Sequence, residues 1–248
     1  DDGFKQVTYQ TFSLGDADER FRANCGWDYR YTESEVSQFT AFVPHVAEGI
    51  DNFAQEEFRC QSTSFEGGQD FTEKNAAHIH SIGLTTADYY RMALDDTKII
   101  WSPRSNISLY GTTAAVQTFH ILGGTIALGT DWTYSGSANI LREIACADAW
   151  NREYLDGYFS DRNLWEMVTI HGASATGNQR RIGSLEVAKM ANIAIFAADA
   201  GESYRAVLDA GNRDVALVLK AGSVLFGEAD VVATLDTCDD IDVCGAAF

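Results

Sequence analysis

Between residues 40 and 170 the apolar positions switch repeatedly between two periods. Short apolar runs of strand character alternate with stretches whose apolar residues recur every third or fourth position, the spacing of one helix face. "FTAFVPH", "NAAHIHSI", "KIIWSP" and "TIALGTD" read as strands. "VAEGIDNFAQEEFRC", "TTADYYRMALDD", "TAAVQTFHILGG" and "NILREIACADAWNREY" read as helices. Thr85 or Thr86 can cap the second helix, and paired glycines stop the third. This rhythm is the signature of parallel βα units. The tail changes character: "SLEVAKMANIAIFAAD" and "DVALVLKAGSVLFGEADVVATL" are short β runs separated by Gly-containing turns. The pattern therefore divides the chain into an α/β part, residues 1–181, and a β-rich appendage, residues 182–248.

Composition narrows the class of function. The 248 residues allow one large α/β domain with a small appendage, and 46% apolar residues support a sizeable core. A net charge of -18, with five lysines, argues against nucleic-acid binding, which favours basic patches. No run of 18 apolar residues provides a membrane-spanning helix. The opening "DDGFKQVTYQTF" has neither the charged n-region nor the apolar h-region of an export signal. The five cysteines include no CxxC. Cys238 and Cys244 enclose the acidic loop "CDDIDVC", Cys25 and Cys60 can form a second pair, and Cys146 is left as a buried thiol on a helix. That pattern leans toward an oxidising compartment, periplasmic or extracellular, with the cytoplasm as the alternative.

Catalytic groups of a parallel α/β barrel stand at the C-terminal ends of its strands. The polar residues at those ends are His45, His80, Ser105 with Asn106, and Asp131. Two histidines and an aspartate are ordinary zinc ligands, and three strand ends could bring them to one ion with an open position for water. His78 and His80 lie two apart on a predicted strand, so both side chains point to one face. Either they form a metal clamp, or only one of them does chemistry.

"AAHIHSIGLT", "IIWSPRSNISLYG", "TIALGTDWTYSGSANILREIACA" and "IGSLEVAKMANIAIF", in this order, resemble the C-terminal half of the metal-dependent amidohydrolase superfamily. The nearest likeness is to its imidazolonepropionase and chlorohydrolase-like branch. The resemblance covers about residues 40–230 and implies a TIM-type (β/α)8 barrel, of which this chain carries the C-terminal strands. It places His80 at the end of the sixth strand, through "HSIGLT", and leaves His78 as a core histidine hydrogen-bonded inside the barrel. "HVAEG" resembles the fifth-strand motif, which makes His45 a metal ligand and brings Glu48 within reach of substrate. "GTD" resembles the eighth-strand motif, which makes Asp131 both a metal ligand and the acceptor of a proton from the attacking water. His80 then stabilises the developing oxyanion or joins the metal ligands. Arg104 and Trp132 are candidate substrate contacts, Asn106 is expected to shape its loop, and His120 and His171 receive no role.

The family resemblance implies a hydrolase that cleaves a C–N bond in a cyclic amide, amidine or aromatic amine. The alternatives are a dipeptidase-like enzyme and a non-catalytic amidohydrolase-like binding subunit. A divalent metal is implied: one ion rather than two, and zinc ahead of iron or manganese. The partners implied are a small-molecule substrate and, as an option, further copies of the chain. The family's first-strand His-x-His has no counterpart before His45. We therefore expect strands one to about three, with that pair, to come from an upstream segment or partner chain, and residues 1–248 alone not to fold as an active enzyme.

Overall fold

The four apolar runs of the alternating region each form a strand, and each strand is shorter than its run. In the computed structural model, which describes residues 7–10, 25–26, 29–199, 201, 203–235, 242–243 and 246–247, β1 (Thr8–Gln10) precedes a single-turn helix, α1 (Glu33–Val36). Next come β2 (Phe42–Val46), α2 (Asn52–Cys60), β3 (Ala77–His80) and α3 (Thr86–Leu94). They are followed by β4 (Lys98–Trp101), α4 (Pro103–Tyr110) and α5 (Val116–Ile121). The series ends with β5 (Ile126–Leu128), α6 (Ile140–Tyr154), α7 (Asp161–Met167) and α8 (Ile170–Ala175). Strands β1 to β5 form one sheet in chain order, and every neighbouring pair is parallel.

Local chemistry explains where the elements start. Helix α2 begins at Asn52, not near Val46, because Ala47 is left-handed and Asp51 caps the Phe53 and Ala54 N–H groups. Thr85 caps α3 in a reciprocal pair with Asp88, as its sequence suggests. The stretch "PRSN", expected as a loop, opens α4: Pro103 suits a first helical turn, where no N–H partner is needed. His171 lies inside α8.

The sheet has two different faces. Val43, Ala77, Ile79 and Ala127 point to one side, where Ala41 and Ala175 of α8 join them. These residues are mostly small, as the inside of a curved sheet requires. On the other side Val46, Ile99, Trp101, Ile126 and Leu128 pack beneath Phe58, Tyr89, Met92, Phe119, Ile144, Leu164 and Met167. Each large side chain so buried contributes about 1.5–3 kcal/mol, and this layer holds the helices on the sheet.

His78 belongs to the helix-facing layer, which corrects its expected place inside the barrel. Ile79 takes the inner face, so strand alternation sends His78 outward to the Phe58 ring, 6.2 Å away, and to Phe71. Its Nε2–H donates to the Phe71 carbonyl at 3.3 Å. Complete burial pushes the ring down to about 4 and keeps it neutral.

The C-terminal part forms a separate antiparallel sheet in the order β6 (Ile193–Phe196), β7 (Val215–Lys220) and β8 (Ser223–Gly227). Between β6 and β7 the chain returns to the helices through the short α9 (Arg205–Leu208). Arg205 pairs there with Asp148 at 2.7 Å and with Asp161, while Leu208 enters the helix-facing core. Cys25 and Cys60 form a disulfide with Cα atoms 5.2 Å apart, as expected. Cys146 is a free thiol but half-buried rather than buried. The expected Cys238–Cys244 pair lies outside the described residues. No helix among the described residues is long and apolar enough to cross a membrane.

Candidate metal centre at the strand ends

His45, His80 and Asp131 all lie at the carboxyl ends of parallel strands, and backbone geometry aims them. His45 has the inward parity of Val43 on β2, and its Cα partner on β3 is Ile79. His80 has the parity of His78 and would face the helices if β3 stayed extended. It does not stay extended: His80 and Ser81 are left-handed, with φ of 72° and 52°. Non-glycine residues seldom adopt that region, and strain of this kind collects at functional sites. The turn carries His80 to within 5.0 Å of His45, ring centre to ring centre. Asp131, just beyond β5, is left-handed too, with φ of 56°.

The groups form a buried polar cluster. His45 and His80 are 7% and 1% exposed. His80 Nε2 lies 3.4 Å from Glu48 Oε2 and 3.9 Å from Asp131 Oδ2. His45, Glu48 and His80 each offer one ligand atom, all within 4.8 Å of one another. Asp131 adjoins this trio through His80. Tyr110 donates its hydroxyl to Glu48 Oε1 at 3.1 Å, and burial, then the Glu48 charge, raises its pKa far above the usual phenol range.

A hydrogen-bond chain fixes the tautomer of His80. Asn106 donates its Nδ2–H to Thr113 Oγ1 at 3.0 Å, and Trp101 Nε1–H donates to the same oxygen at 2.6 Å. The Asn106 oxygen therefore faces His80 Nδ1, 2.9 Å away. An amide oxygen only accepts, so the proton sits on Nδ1 and Nε2 presents a lone pair. That Nε2 is buried and has no hydrogen-bond partner. A bare imidazole nitrogen facing two carboxylates suits a cation, and the donor set of imidazoles and carboxylates suits zinc.

The other candidates stand elsewhere. Arg104 is engaged by Ser137, to which its Nε–H donates at 2.8 Å. Trp132 is 62% exposed with its ring against Tyr134, 4.6 Å away. Neither enters the trio. Asn106, expected to shape a loop, is instead a wholly buried partner of His80, and Tyr110 and Thr113 were not singled out in the sequence. A Pro at a helix start, followed three residues on by Asn, was the available signal for α4 and its inward polar face.

Residues 40–225 match the model of the Amidohydrolase family, and the chain belongs to that family. It is 25% identical over 157 residues to a 5-methylthioadenosine/S-adenosylhomocysteine deaminase of Clostridium tetani, covering 61% of this chain and 37% of that protein. The deaminase of the same description in Thermoanaerobacter pseudethanolicus is 27% identical over 206 residues, covering 76% and 47%. The chain thus spans less than half the length of these relatives. Among solved structures, a zinc-bound adenosine deaminase from Xanthomonas campestris is similar with a TM-score of 0.65 and 21% identity, covering 77% of this chain and 46% of that one. A mutant atrazine chlorohydrolase from Arthrobacter aurescens, complexed with zinc and atraton, gives 0.66 and 17%, covering 79% and 46%. These likenesses identify the five parallel strands as part of a TIM-type barrel wall, with the antiparallel sheet as its appendage.

Proposed function

We propose that this chain carries the catalytic strand ends of a metal-dependent hydrolase that removes an amino group from a nitrogen heteroaromatic small molecule. The observation that carries this reading is the buried, unpartnered Nε2 of His80 beside His45, Glu48 and Asp131. Among C–N bonds, the aromatic amine is favoured over the cyclic amide by the deaminases to which the chain is similar. His45 is proposed to hold a divalent ion, zinc first, with His80 and Asp131 beside it. Such an ion would polarise the scissile group and acidify water.

The chain's own residues would then move the protons. Water adds to the ring carbon and the amino group leaves as ammonia, so one proton must travel from the water to the leaving nitrogen. Asp131 accepts it, as a carboxylate placed at the strand mouth is able to do. Glu48, with one oxygen held by Tyr110, faces substrate with the other. His80 keeps its Nδ1 proton on Asn106 and presents the lone pair of Nε2 to the ion. The reading includes an upstream segment that supplies a His-x-His pair and the remaining barrel strands; coverage of less than half of each relative supports it. It also includes an oxidising compartment, supported by the Cys25–Cys60 bond.

The test is to load the full-length protein with zinc and measure ammonia released from 5-methylthioadenosine, S-adenosylhomocysteine and adenosine. Turnover of at least one, abolished by chelation and restored by zinc, is expected. A folded, zinc-loaded protein inert toward all amino-heteroaromatics would overturn the proposal in favour of a non-catalytic binding subunit.

A further inference from the structure

Behind the strand ends lies a carboxylate that the proposed reaction does not use. Glu143, in the first turn of α6, is 0% exposed. Its Oε1 accepts the Arg104 backbone N–H at 3.1 Å, and its Oε2 has no hydrogen-bond partner. Burial raises its pKa; the Ser137 hydroxyl, the Arg104 N–H and the Arg104 charge oppose the rise, and Asp131 adds to it. A half-satisfied acid in a dry place is unfavourable. Its position has to be explained by what it holds.

It holds two pieces of the site together. Arg104 is the second residue of α4, and Asn106, two residues on, is the partner of His80 Nδ1. The Arg104 side chain reaches across to Ser137, at the far end of the loop that starts with Thr130 and Asp131. A second bridge, Ser105 to Ser135 at 2.8 Å, spans the same gap. The loop itself is closed by the Ser137 N–H on the Thr130 carbonyl at 3.0 Å. It is so tight that a Cβ on Gly136 would lie 1.9 Å from the Thr130 carbonyl oxygen. Glu143 anchors the start of α4, and Arg104 fastens α4 to the loop.

We infer that Glu143 is a positioning residue: acting through Arg104 and Ser137, it locks α4 to the 130–137 loop and so sets Asn106 on His80 and Asp131 beside it. Its geometric consequence stands without the hydrolase reading, and only its kinetic consequence rests on that reading. The experiment compares full-length wild type, Glu143→Ala and Glu143→Gln. Histidine side-chain nitrogen NMR, without metal or substrate, reports the His80 tautomer; zinc titration and steady-state kinetics follow. Wild type should show His80 protonated at Nδ1 alone. Glu143→Ala should give mixed tautomers and lose about tenfold in zinc affinity and kcat, the lower end for a residue supporting a metal's neighbours. KM should stay within about threefold, because substrate contacts remain. Glu143→Gln should restore all three, since its amide oxygen still accepts the Arg104 N–H.

An unchanged His80 in a folded Glu143→Ala protein, or a Gln variant as impaired as Ala, overturns the inference. Should Glu143→Ala fail to fold, Ser137→Ala decides: it keeps the buried acid and removes the hydroxyl through which Arg104, and with it Glu143, reaches the loop. A shifted His80 tautomer there supports the role, and an unshifted one overturns it. A wild type that hydrolyses nothing while His80 responds as expected sinks the hydrolase reading alone. An active enzyme whose His80 ignores Glu143 sinks the positioning role alone.

Discussion

The two ends of the parallel strands treat buried polar groups in opposite ways. At the amino ends, several buried side-chain donors are matched by backbone carbonyls, the buried Gln61 amide just after α2 being an exception. Lys98 Nζ donates to the carbonyls of Lys74 and Asp96, both at 2.6 Å, and Asn75 Nδ2 donates to Val36 and Phe39 at 2.8 Å. His171 Nδ1 sits 3.0 Å from the Ile126 carbonyl, and Thr97 donates to that of Glu73. The Asn75 oxygen is unmatched there, but a missing acceptor contact is the milder defect. At the carboxyl ends, His80 Nε2 and the hydroxyls of Ser81 and Ser102 are buried without partners, and the backbone is left-handed at Ala47, His80, Ser81 and Asp131. The amino ends also carry a left-handed residue, Asp96, and unmatched amide atoms, but the carboxyl ends gather theirs around His80, as a site awaiting a ligand does.

This contrast predicts which substitutions alter activity and which alter folding. The largest effect should come from Asp131→Asn, which keeps the shape and removes the proton acceptor. We expect ammonia release to fall about 10²–10⁴-fold, the usual contribution of a general base, with thermal unfolding hardly changed. A change below tenfold would remove Asp131 from the chemistry.

His78, in the helix layer, should act on stability alone. Burial holds its folded ring at about 4, below the 6.5 of an unperturbed histidine. The unfolded chain therefore takes up a proton that the folded chain refuses, and stability declines as pH falls from about 6.5 toward 4. By linkage this one group accounts for about 3 kcal/mol between pH 7 and pH 4. Urea unfolding of His78→Gln at both pH values should show a pH dependence smaller by about that amount; an identical dependence would mean that His78 is charged or hydrated when folded.

His80→Asn sharpens the contrast within one strand. Asparagine tolerates the left-handed backbone, so the fold should persist while zinc affinity drops about 10–100-fold. Metal analysis after dialysis against graded chelator checks this. The smallest effect belongs to Lys98→Met at the amino end: a loss of about 1 kcal/mol in stability for its hydrogen bonds, with kcat unchanged. A kinetic defect there would blur the distinction between the two ends.

The same distinction marks what the sequence reveals. Hydrophobic period disclosed the βα rhythm and the strand ends, because burial on one or two faces writes itself into residue spacing. It also separated the antiparallel tail from the parallel part. It did not disclose that β3 leaves the extended conformation at His80, since a left-handed histidine has no compositional mark. Hence alternation put His78 and His80 on one face, whereas the left-handed turn at His80 and Ser81 separates them. Helix α4 was concealed by a Pro and small polar residues that equally fit a loop, and Asn106 was concealed with it. Arg104 and Trp132 were candidate substrate contacts; a hydroxyl engages the first and the second is exposed.

The strand ends are proposed to hold one metal ion. Anomalous X-ray diffraction at the zinc edge, from crystals of the full-length zinc-loaded protein, tests it directly. The account predicts one ion at about 2.0–2.1 Å from a ring nitrogen of His45, with His80 Nε2 and Asp131 turned toward it. No ion at the strand ends, with His80 Nε2 bonded only to Glu48, would contradict it.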